Sequence, residues 1–169
     1  CELLPLSTTG GDFILKQPPQ VTNRLMVSGG VGIVSFVSVI RSIAMQARKG
    51  LLHERVEFAL IHSEKMFSNL PFLEEILGLS EEFGPGQHDL LWFDFTLCCT
   101  SEKSEVFDDL VSKRTGSHFV EKRADEALLQ WTIQKFPHPA DTHVYVCGPG
   151  AFQKAIREIF LKRLGHSSS

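Results

Sequence analysis

Two short glycine-containing stretches carry residue types that can hold a phosphorylated ligand. The first, Ser28-Gly29-Gly30-Val31-Gly32-Ile33, follows the apolar run Leu25–Val27 and precedes a helical pattern. Glycines let the backbone approach phosphates closely, and the N–H groups of a helix's first turn lack intrahelical partners and point at the anion. The stretch therefore predicts a strand-to-helix turn that binds a diphosphate. Its candidate binding residues are Gly29, Gly30, Val31, Gly32 and Ile33.

The alternative for this turn is a tight glycine corner without a ligand, because glycines serve any such corner. The stretch departs from the GxGxxG fingerprint, since Ser35 stands where the last glycine would be. It is not a Walker loop either, because no Gly-Lys-Ser/Thr follows. Its position between a strand and a helix favours phosphate binding over the bare corner.

The second stretch is Cys147-Gly148-Pro149-Gly150, at the end of the last predicted strand. It opens the final helix, where Pro149 suits the first turn. The alternative for Cys147 is a small buried apolar residue. A thiolate nucleophile needs a base beside it, and His143, four residues earlier on the same strand, is too far along that strand. Covalent catalysis is therefore not predicted.

The elements that position these stretches alternate along the chain. Apolar runs predict strands over 25–28, 56–61, 92–99 and 143–147, and helical periodicity predicts helices over 34–48, 70–79, 105–113, 124–134 and 151–164. This pattern predicts an α/β fold, a Rossmann-like parallel sheet of four to five strands of the 3-2-1-4-5 type, flanked by helices. Because such sheets bind ligands at the carboxyl ends of their strands, Ser63 and Thr100 join the candidate site.

Composition excludes several classes of function. The 169 residues fit one domain, and a net charge of −3 disfavours binding to nucleic acid through phosphate attraction. The apolar stretch 25–40 is shorter than the ~20 residues of a membrane span, which predicts a buried strand and helix with no transmembrane segment. The histidines show no metal-ligand spacing. Four cysteines without a CxxC pair predict no disulfide framework and a reducing, intracellular compartment, cytoplasmic or mitochondrial.

Three segments together resemble a known family. The segments GGVGIVSFVSVIR, FTLCCTSEK and HVYVCGPGAFQKAI are similar to the nicotinamide-binding half of ferredoxin–NADP⁺ reductase-type flavoproteins, above all cytochrome b5 reductase and the oxidoreductase NAD-binding domain-containing protein. The resemblance covers roughly residues 10–164. It implies a lead-in over residues 1–23 from a flavin-binding domain, an NAD(P)-binding domain over 24–165 and a disordered tail over 166–169.

The resemblance implies roles for the candidate residues. The turn glycines would cradle the diphosphate of a dinucleotide. Cys147, Gly148 and Pro149 would flank the nicotinamide, with Cys147 at the locus of hydride transfer. Thr100 and Glu102 would lie beside the adenosine ribose. A carboxylate at Glu102 repels a 2′-phosphate and favours NAD(H) over NADP(H). The alternatives are that Glu102 is a solvated loop charge and that the neighbouring Lys103 offsets its charge.

The chain also departs from the family. Val34-Ser35 stands where the family has Thr-Pro, so the hydroxyl near the nicotinamide is lost unless Ser35 or Ser38 replaces it. The flavin-binding signature is absent, and so is a last strand after Leu164, which would leave the fourth strand exposed unless another segment covers it. The chain begins without Met, which predicts a piece of a longer protein.

The resulting hypothesis is an NAD(H)-binding domain of a flavin-dependent oxidoreductase. Hydride would pass from NADH to FAD on a partner domain of the same longer protein, and electrons would then reach an unknown acceptor. The isolated fragment would be inactive. The first alternative is a non-catalytic structural or regulatory relative. A dehydrogenase with its own substrate domain is disfavoured, because the chain has no acid/base cluster.

Overall fold

The computed structural model describes residues 23–66, 70–101 and 117–162, together with the backbone of residues 2–4. Within these ranges there are six strands and four helices. The strands are β1 (Glu2–Leu4), β2 (Asn23–Gly29), β3 (Val56–Glu64), β4 (Leu91–Cys99), β5 (Ser117–Val120) and β6 (His143–Cys147). The helices are α1 (Ile33–Arg48), α2 (Leu73–Glu82), α3 (Glu126–Ile133) and α4 (Gly150–Lys162). The predicted helix over 105–113 and the tail over 166–169 lie outside the described residues.

The strands form one sheet in the order β1-β6-β2-β3-β4-β5. Five of them, β6 to β5, are parallel. The four strands predicted from the sequence therefore have the predicted relative order, and the α/β Rossmann-like fold is confirmed. The fifth parallel strand is β5, beside β4. No strand was predicted there, because the apolar runs indicated strands only over 25–28, 56–61, 92–99 and 143–147.

The edge of β6 is covered by β1, which runs antiparallel to it. Glu2 pairs with Val146 and Leu4 with Val144. The sequence left this edge open unless another segment covered it, and residues 2–4 are such a segment. The pairing satisfies backbone groups on the outer side of β6 that would otherwise be an exposed template for another chain.

Among the described residues, two helices cover each face of the sheet, which explains why its central strands are apolar on both sides. On one face, α1 and α2 pack on alternate strand residues such as Met26, Leu60 and Phe95. On the other face, α3 and α4 pack on the intervening residues, such as Val27 and Ile61. Successive side chains of a strand point to opposite faces, so this division also fixes which polar residues at the strand ends lie together.

Helix α1 with its preceding turn, Gly30–Arg48, is long and apolar enough to cross a membrane, the one such segment among the described residues. Its apolar side packs into the core, with Phe36, Val37 and Ile40 at most 3% exposed. A core helix of a globular domain passes the same test of length and composition. The packing agrees with the predicted buried strand and helix.

Candidate functional site

The glycine turn connects the carboxyl end of β2 to α1 through a 3-10 turn, Gly30–Gly32. Gly30 has φ +53°, in the left-handed region that side-chain-bearing residues rarely adopt. Apart from its two chain neighbours, no atom of the described residues lies within 4 Å of the position that a Cβ on Gly30 would take, and Val31 is 84% exposed. No side chain caps the 3-10 turn or the start of α1. The backbone of the turn thus faces open space at a helix N-terminus, a geometry that fits an approaching phosphate.

Gly32 brings the two glycine-containing stretches into direct contact. A Cβ on Gly32 would lie 2.4 Å from the carbonyl oxygen of Cys147 and 2.8 Å from the nitrogen of Gly148. A Cβ on Gly148 would lie 3.0 Å from the carbonyl oxygen of Gly29. Only a residue without a side chain allows this approach. The structure therefore joins two segments 115 residues apart into one edge of the sheet.

The ring of Phe152, in the first turn of α4, packs against both glycine stretches. A Cβ on Gly29 would lie 3.1 Å from the ring, and a Cβ on Gly148 would lie 3.0 Å from its Cδ1 atom. The half-buried ring also packs against the core on the α3/α4 face. It therefore lies between the two glycine stretches and the core.

Cys147 differs from its prediction in one respect. The four cysteines were expected to form no disulfide framework, yet Cys147 is disulfide-bonded. Cys98 and Cys99 are free. In this structure Cys147 therefore carries no titratable thiol. Its place in the fold, at the end of β6 beside the glycine turn, is as predicted.

Ser35 and Ser38 are the two serines that could replace the hydroxyl missing at Val34, and Ser35 is the one that approaches Cys147. Its Oγ lies 3.8 Å from the Cys147 Sγ. The Ser38 hydroxyl donates instead to the Val34 carbonyl oxygen at 3.3 Å and is exposed. Val34 is 46% exposed beside the turn. Of the two candidates for the hydroxyl missing at Val34, the structure places Ser35 at Cys147.

A polar row crosses the sheet under the first turn of α1. The register aligns Cys147 with Ser28 and Ser28 with His62, all on the α1/α2 face. Ser28 and His62 are 0% exposed, and the Ser28 Oγ lies 2.8 Å from the His62 Nδ1. Burial lowers the pKa of His62 to about 4, so its ring is neutral at pH 7. The 3.9 Å approach of the Glu64 carboxylate to Nε2 is therefore not an ion pair.

The remaining predicted site residues follow β3 and β4. Ser63 points to the α3/α4 face, opposite Cys98 in the register, and its hydroxyl is buried. Burial raises the pKa of the Cys98 thiol to about 12. Thr100 is exposed just after β4. The N–H of the next residue, Ser101, donates to the Lys65 carbonyl oxygen at 3.1 Å, which ties the two strand ends together. Glu102 lies outside the described residues.

Sequence reasoning placed residues 62–65 among the strand ends of the candidate site but chose neither His62 nor Glu64 as a binding residue. Both belong to the polar stretch that ends the second predicted strand, where polar residues are expected for solvation alone. The available signal was a histidine within an otherwise apolar strand, VEFALI followed by His62. Its burial depends on the helices that pack on the α1/α2 face of the sheet, which no local pattern shows.

Comparisons with known proteins agree with this fold. No protein-family model matches the chain. It is 23% identical to flavohemoprotein B of Dictyostelium discoideum over 95% of its length, covering 32% of that protein. It is 27% identical to the bovine oxidoreductase NAD-binding domain-containing protein 1 over 83% of its length, covering 42% of that protein. The chain thus spans less than half the length of these curated relatives.

Solved structures show the same architecture. The flavohemoglobin of Malassezia yamatoensis, solved with bound FAD and heme, superposes with a TM-score of 0.58 at 18% identity, covering 90% of this chain and 32% of that one. The cytochrome b5 reductase domain of Ulva prolifera nitrate reductase superposes with a TM-score of 0.52 at 15% identity, covering 85% of this chain and 46% of that one. The resemblance inferred from the glycine-containing motifs is confirmed: the chain has the fold of the NAD-binding half of ferredoxin–NADP⁺ reductase-type flavoproteins and is similar in sequence to oxidoreductases of that kind.

Proposed function

We propose that the chain is the NAD(H)-binding domain of a flavin-dependent oxidoreductase. It receives NADH at the carboxyl edge of its sheet and presents the nicotinamide to FAD held by a flavin-binding domain of the same longer protein. The observation that carries the proposal is the contact of Gly32 with the Cys147 backbone. It joins the glycine turn Gly29–Ile33 and the second glycine-containing stretch, Cys147–Gly150, into one continuous edge.

The residues of this edge divide between the two ends of the dinucleotide. The turn Gly29–Ile33 would bind the diphosphate through backbone N–H groups and the positive end of α1. Cys147, Gly148 and Pro149 would flank the nicotinamide, with the Ser35 hydroxyl close to Cys147. On the adenosine side, Thr100 and Glu102 would contact the ribose. Ser63 would act only through its backbone, because its side chain points to the other face of the sheet.

The flavin is what makes hydride transfer possible, because it supplies the electron acceptor for the nicotinamide. This chain would bind and orient the dinucleotide. Proximity of the two rings then depends on the partner domain. The names of the relatives, and the chain's coverage of less than half their length, support a flavin-binding domain beside this one. The acceptor beyond the flavin is left open.

Titration with NADH tests the proposal, and Gly30 offers a matched pair of variants. Asn and Asp both tolerate a positive φ, and the space around Gly30 is open. Gly30→Asn keeps the glycine turn uncharged, whereas Gly30→Asp places a carboxylate where the diphosphate would lie. We expect saturable NADH binding by the wild-type chain, and at least about tenfold weaker binding by Gly30→Asp than by Gly30→Asn. Absence of saturable binding up to millimolar NADH would overturn the proposal.

The flavin partner is tested separately, with the longer protein that includes the preceding domain. We expect that protein to be yellow, to contain FAD and to oxidise NADH. A colourless protein that binds NADH but cannot be loaded with FAD would remove the partner domain from the proposal. That outcome would favour the non-catalytic alternative, which Val34, an apolar side chain 46% exposed beside the turn, also favours.

A further inference from the structure

We infer that Gln153 is a positioning residue for the nicotinamide end of the site. Its side chain fixes the Gly148–Pro149 peptide, against which the nicotinamide ring would pack. This inference rests on the proposed function and adds to it a residue outside both glycine-containing stretches. Gln153 is the fourth residue of α4 and is half-buried. Its side chain reaches back from the helix to the stretch that precedes it.

Two hydrogen bonds join Gln153 to consecutive carbonyl groups of that stretch. The side-chain Nε2 donates to the Gly148 carbonyl oxygen at 2.7 Å, and the backbone N–H donates to the Pro149 carbonyl oxygen at 3.0 Å. A carbonyl oxygen only accepts hydrogen bonds, so the NH₂ group of the Gln153 amide must face Gly148. A glutamate of the same shape could not make this bond, because an ionised carboxylate has no proton to donate. The residue type at position 153 therefore matches the contact.

The Gly148–Pro149 peptide depends on this bond more than an ordinary peptide would. Proline has no N–H, so the Gly148 carbonyl oxygen is the only hydrogen-bonding group of that peptide. Within the described part of the chain, the Gln153 amide is the one donor to this oxygen. A peptide unit is planar, so a bond that fixes the direction of its C=O group fixes the whole plane. Gly148 has no Cβ and constrains the rotation of this peptide little.

The two ends of the proposed site are held by different contacts. At the diphosphate end, Gly32 packs against the peptide that joins Cys147 to Gly148, with a Cβ position 2.4 Å from the Cys147 carbonyl oxygen. This packing does not involve the Gln153 side chain. The next peptide along the chain, Gly148–Pro149, is the one that the Gln153 amide holds. Loss of the amide would leave the diphosphate end in place and let the peptide beside the nicotinamide rotate.

The energetic consequence is specific to one part of the ligand. A peptide that is already fixed in the free protein need not be ordered when the ligand binds, and this preorganisation increases affinity. Without the Gln153 amide, ordering of the Gly148–Pro149 peptide would oppose binding of the nicotinamide ring. The adenosine and the diphosphate do not pack against this peptide in the proposed site, so their binding would not carry the same cost.

Two ligands test the inference: NADH and ADP-ribose, which has the same adenosine and diphosphate but no nicotinamide. Gln153→Met removes the donor with an unbranched side chain, and Gln153→Glu keeps the shape of the side chain but cannot donate. Gln153→Lys keeps an N–H donor. Gln130→Met is the control, because Gln130 is an exposed residue of α3. The ratio of the two dissociation constants cancels any effect that acts on both ligands, such as a change of charge at position 153.

We expect the wild type to bind NADH more tightly than ADP-ribose. Gln153→Met should weaken NADH binding about five- to tenfold and ADP-ribose binding by less than about twofold. Gln153→Glu should shift the ratio of dissociation constants in the same direction. Gln153→Lys and Gln130→Met should keep the wild-type ratio. Circular dichroism of each variant checks that the titrated protein is folded.

The outcomes separate this inference from the function on which it rests. A wild-type chain that binds neither ligand overturns both. A wild-type chain that binds NADH no more tightly than ADP-ribose overturns the inference alone. The inference also fails if the two variants without a donor weaken both ligands equally or weaken neither. It fails as well if Gln153→Lys shifts the ratio as much as Gln153→Met does, because the donated hydrogen bond would then not be the cause.

Discussion

Replacement of Gly32 by alanine tests whether the contact between the two glycine stretches holds the site together. Gly32 has φ −60° and ψ −20°, which alanine adopts without strain, so the substitution probes packing alone. Its Cβ would lie 2.4 and 2.6 Å from the carbonyl oxygen and carbon of Cys147. Ordinary contact begins near 3.4 Å, so the start of α1 must move by about 1 Å from β6.

The size of the effect follows from which atoms collide. Overpacking a well-packed region costs typically about 1–3 kcal/mol. Here the opposing atoms are backbone atoms of a strand hydrogen-bonded on both sides, so we expect the free energy of unfolding to fall by about 3 kcal/mol. The same 1 Å shift moves the N–H groups of the glycine turn away from the diphosphate, and NADH should bind about ten- to a hundredfold more weakly.

The assay is urea denaturation followed by circular dichroism, combined with NADH titration of the folded protein. Gly78→Ala is the matched control, because Gly78 lies within α2 with no atom within 4 Å of a Cβ position. Alanine is the better helix former, so this control should gain roughly 0.5–1 kcal/mol of stability. Gly32→Ala within about 0.5 kcal/mol of the wild type, with unchanged NADH affinity, would refute the reasoning.

Three further predictions concern the pKa and packing of buried groups. The pKa of His62 is about 4 in the folded protein against 6.5 ordinarily, so the unfolded chain binds a proton between these values and the folded chain does not. The contribution of His62 to the free energy of unfolding is therefore complete above pH 6.5 and falls by about 3 kcal/mol as the pH drops towards 4. Urea denaturation should show a smaller loss of unfolding free energy over this pH range for His62→Gln than for the wild type. An equal loss in both proteins would contradict the lowered pKa. Asp94 is 1% exposed and accepts a hydrogen bond from the Lys135 Nζ at 2.7 Å. Asp94→Ala leaves the Lys135 ammonium without this ion-pair partner and should lower the free energy of unfolding by about 3 kcal/mol in the same assay. A decrease below about 1 kcal/mol would mean that water replaces the carboxylate. A Cβ added by Gly29→Ala would lie 3.1 Å from the Phe152 ring, so this substitution should destabilise the protein. Adding Phe152→Leu should restore part of the lost stability, with a coupling energy of about 1 kcal/mol in a double-mutant cycle. Additive effects of the two substitutions would rule out the contact.

The central strands and most helices were predictable because their signals are local. The run VEFALI marks β3, and the sequence WFDFTLCC marks β4. The two edge strands were missed. β5 has four residues, and β1 has three. Strands this short exist only through pairing with β4 and β6, which lie far away in the sequence, so no window of sequence contains their signal.

The site divides in the same way. The sequence located both glycine turns and placed Cys147 at a strand end, because a glycine cluster between a strand and a helix is a local pattern. It did not show that Cys147 is disulfide-bonded, since a disulfide depends on which distant segments meet. It also did not single out His62, whose environment is set by the helix above it and by Ser28 on the neighbouring strand.

Local patterns were thus sufficient for the fold class, the central strands and the two backbone turns. Each of these follows from periodicity or from the conformational freedom of glycine within a few residues. Three features of the site required contacts between distant segments. A Cβ on residue 32 would lie 2.4 Å from the Cys147 carbonyl oxygen, so only glycine fits there. The other two features are the Phe152 ring against both glycine stretches and the row of Cys147, Ser28 and His62 across the sheet. These depend on which strands are neighbours and which face each residue takes, and therefore on the assembled sheet and its helices.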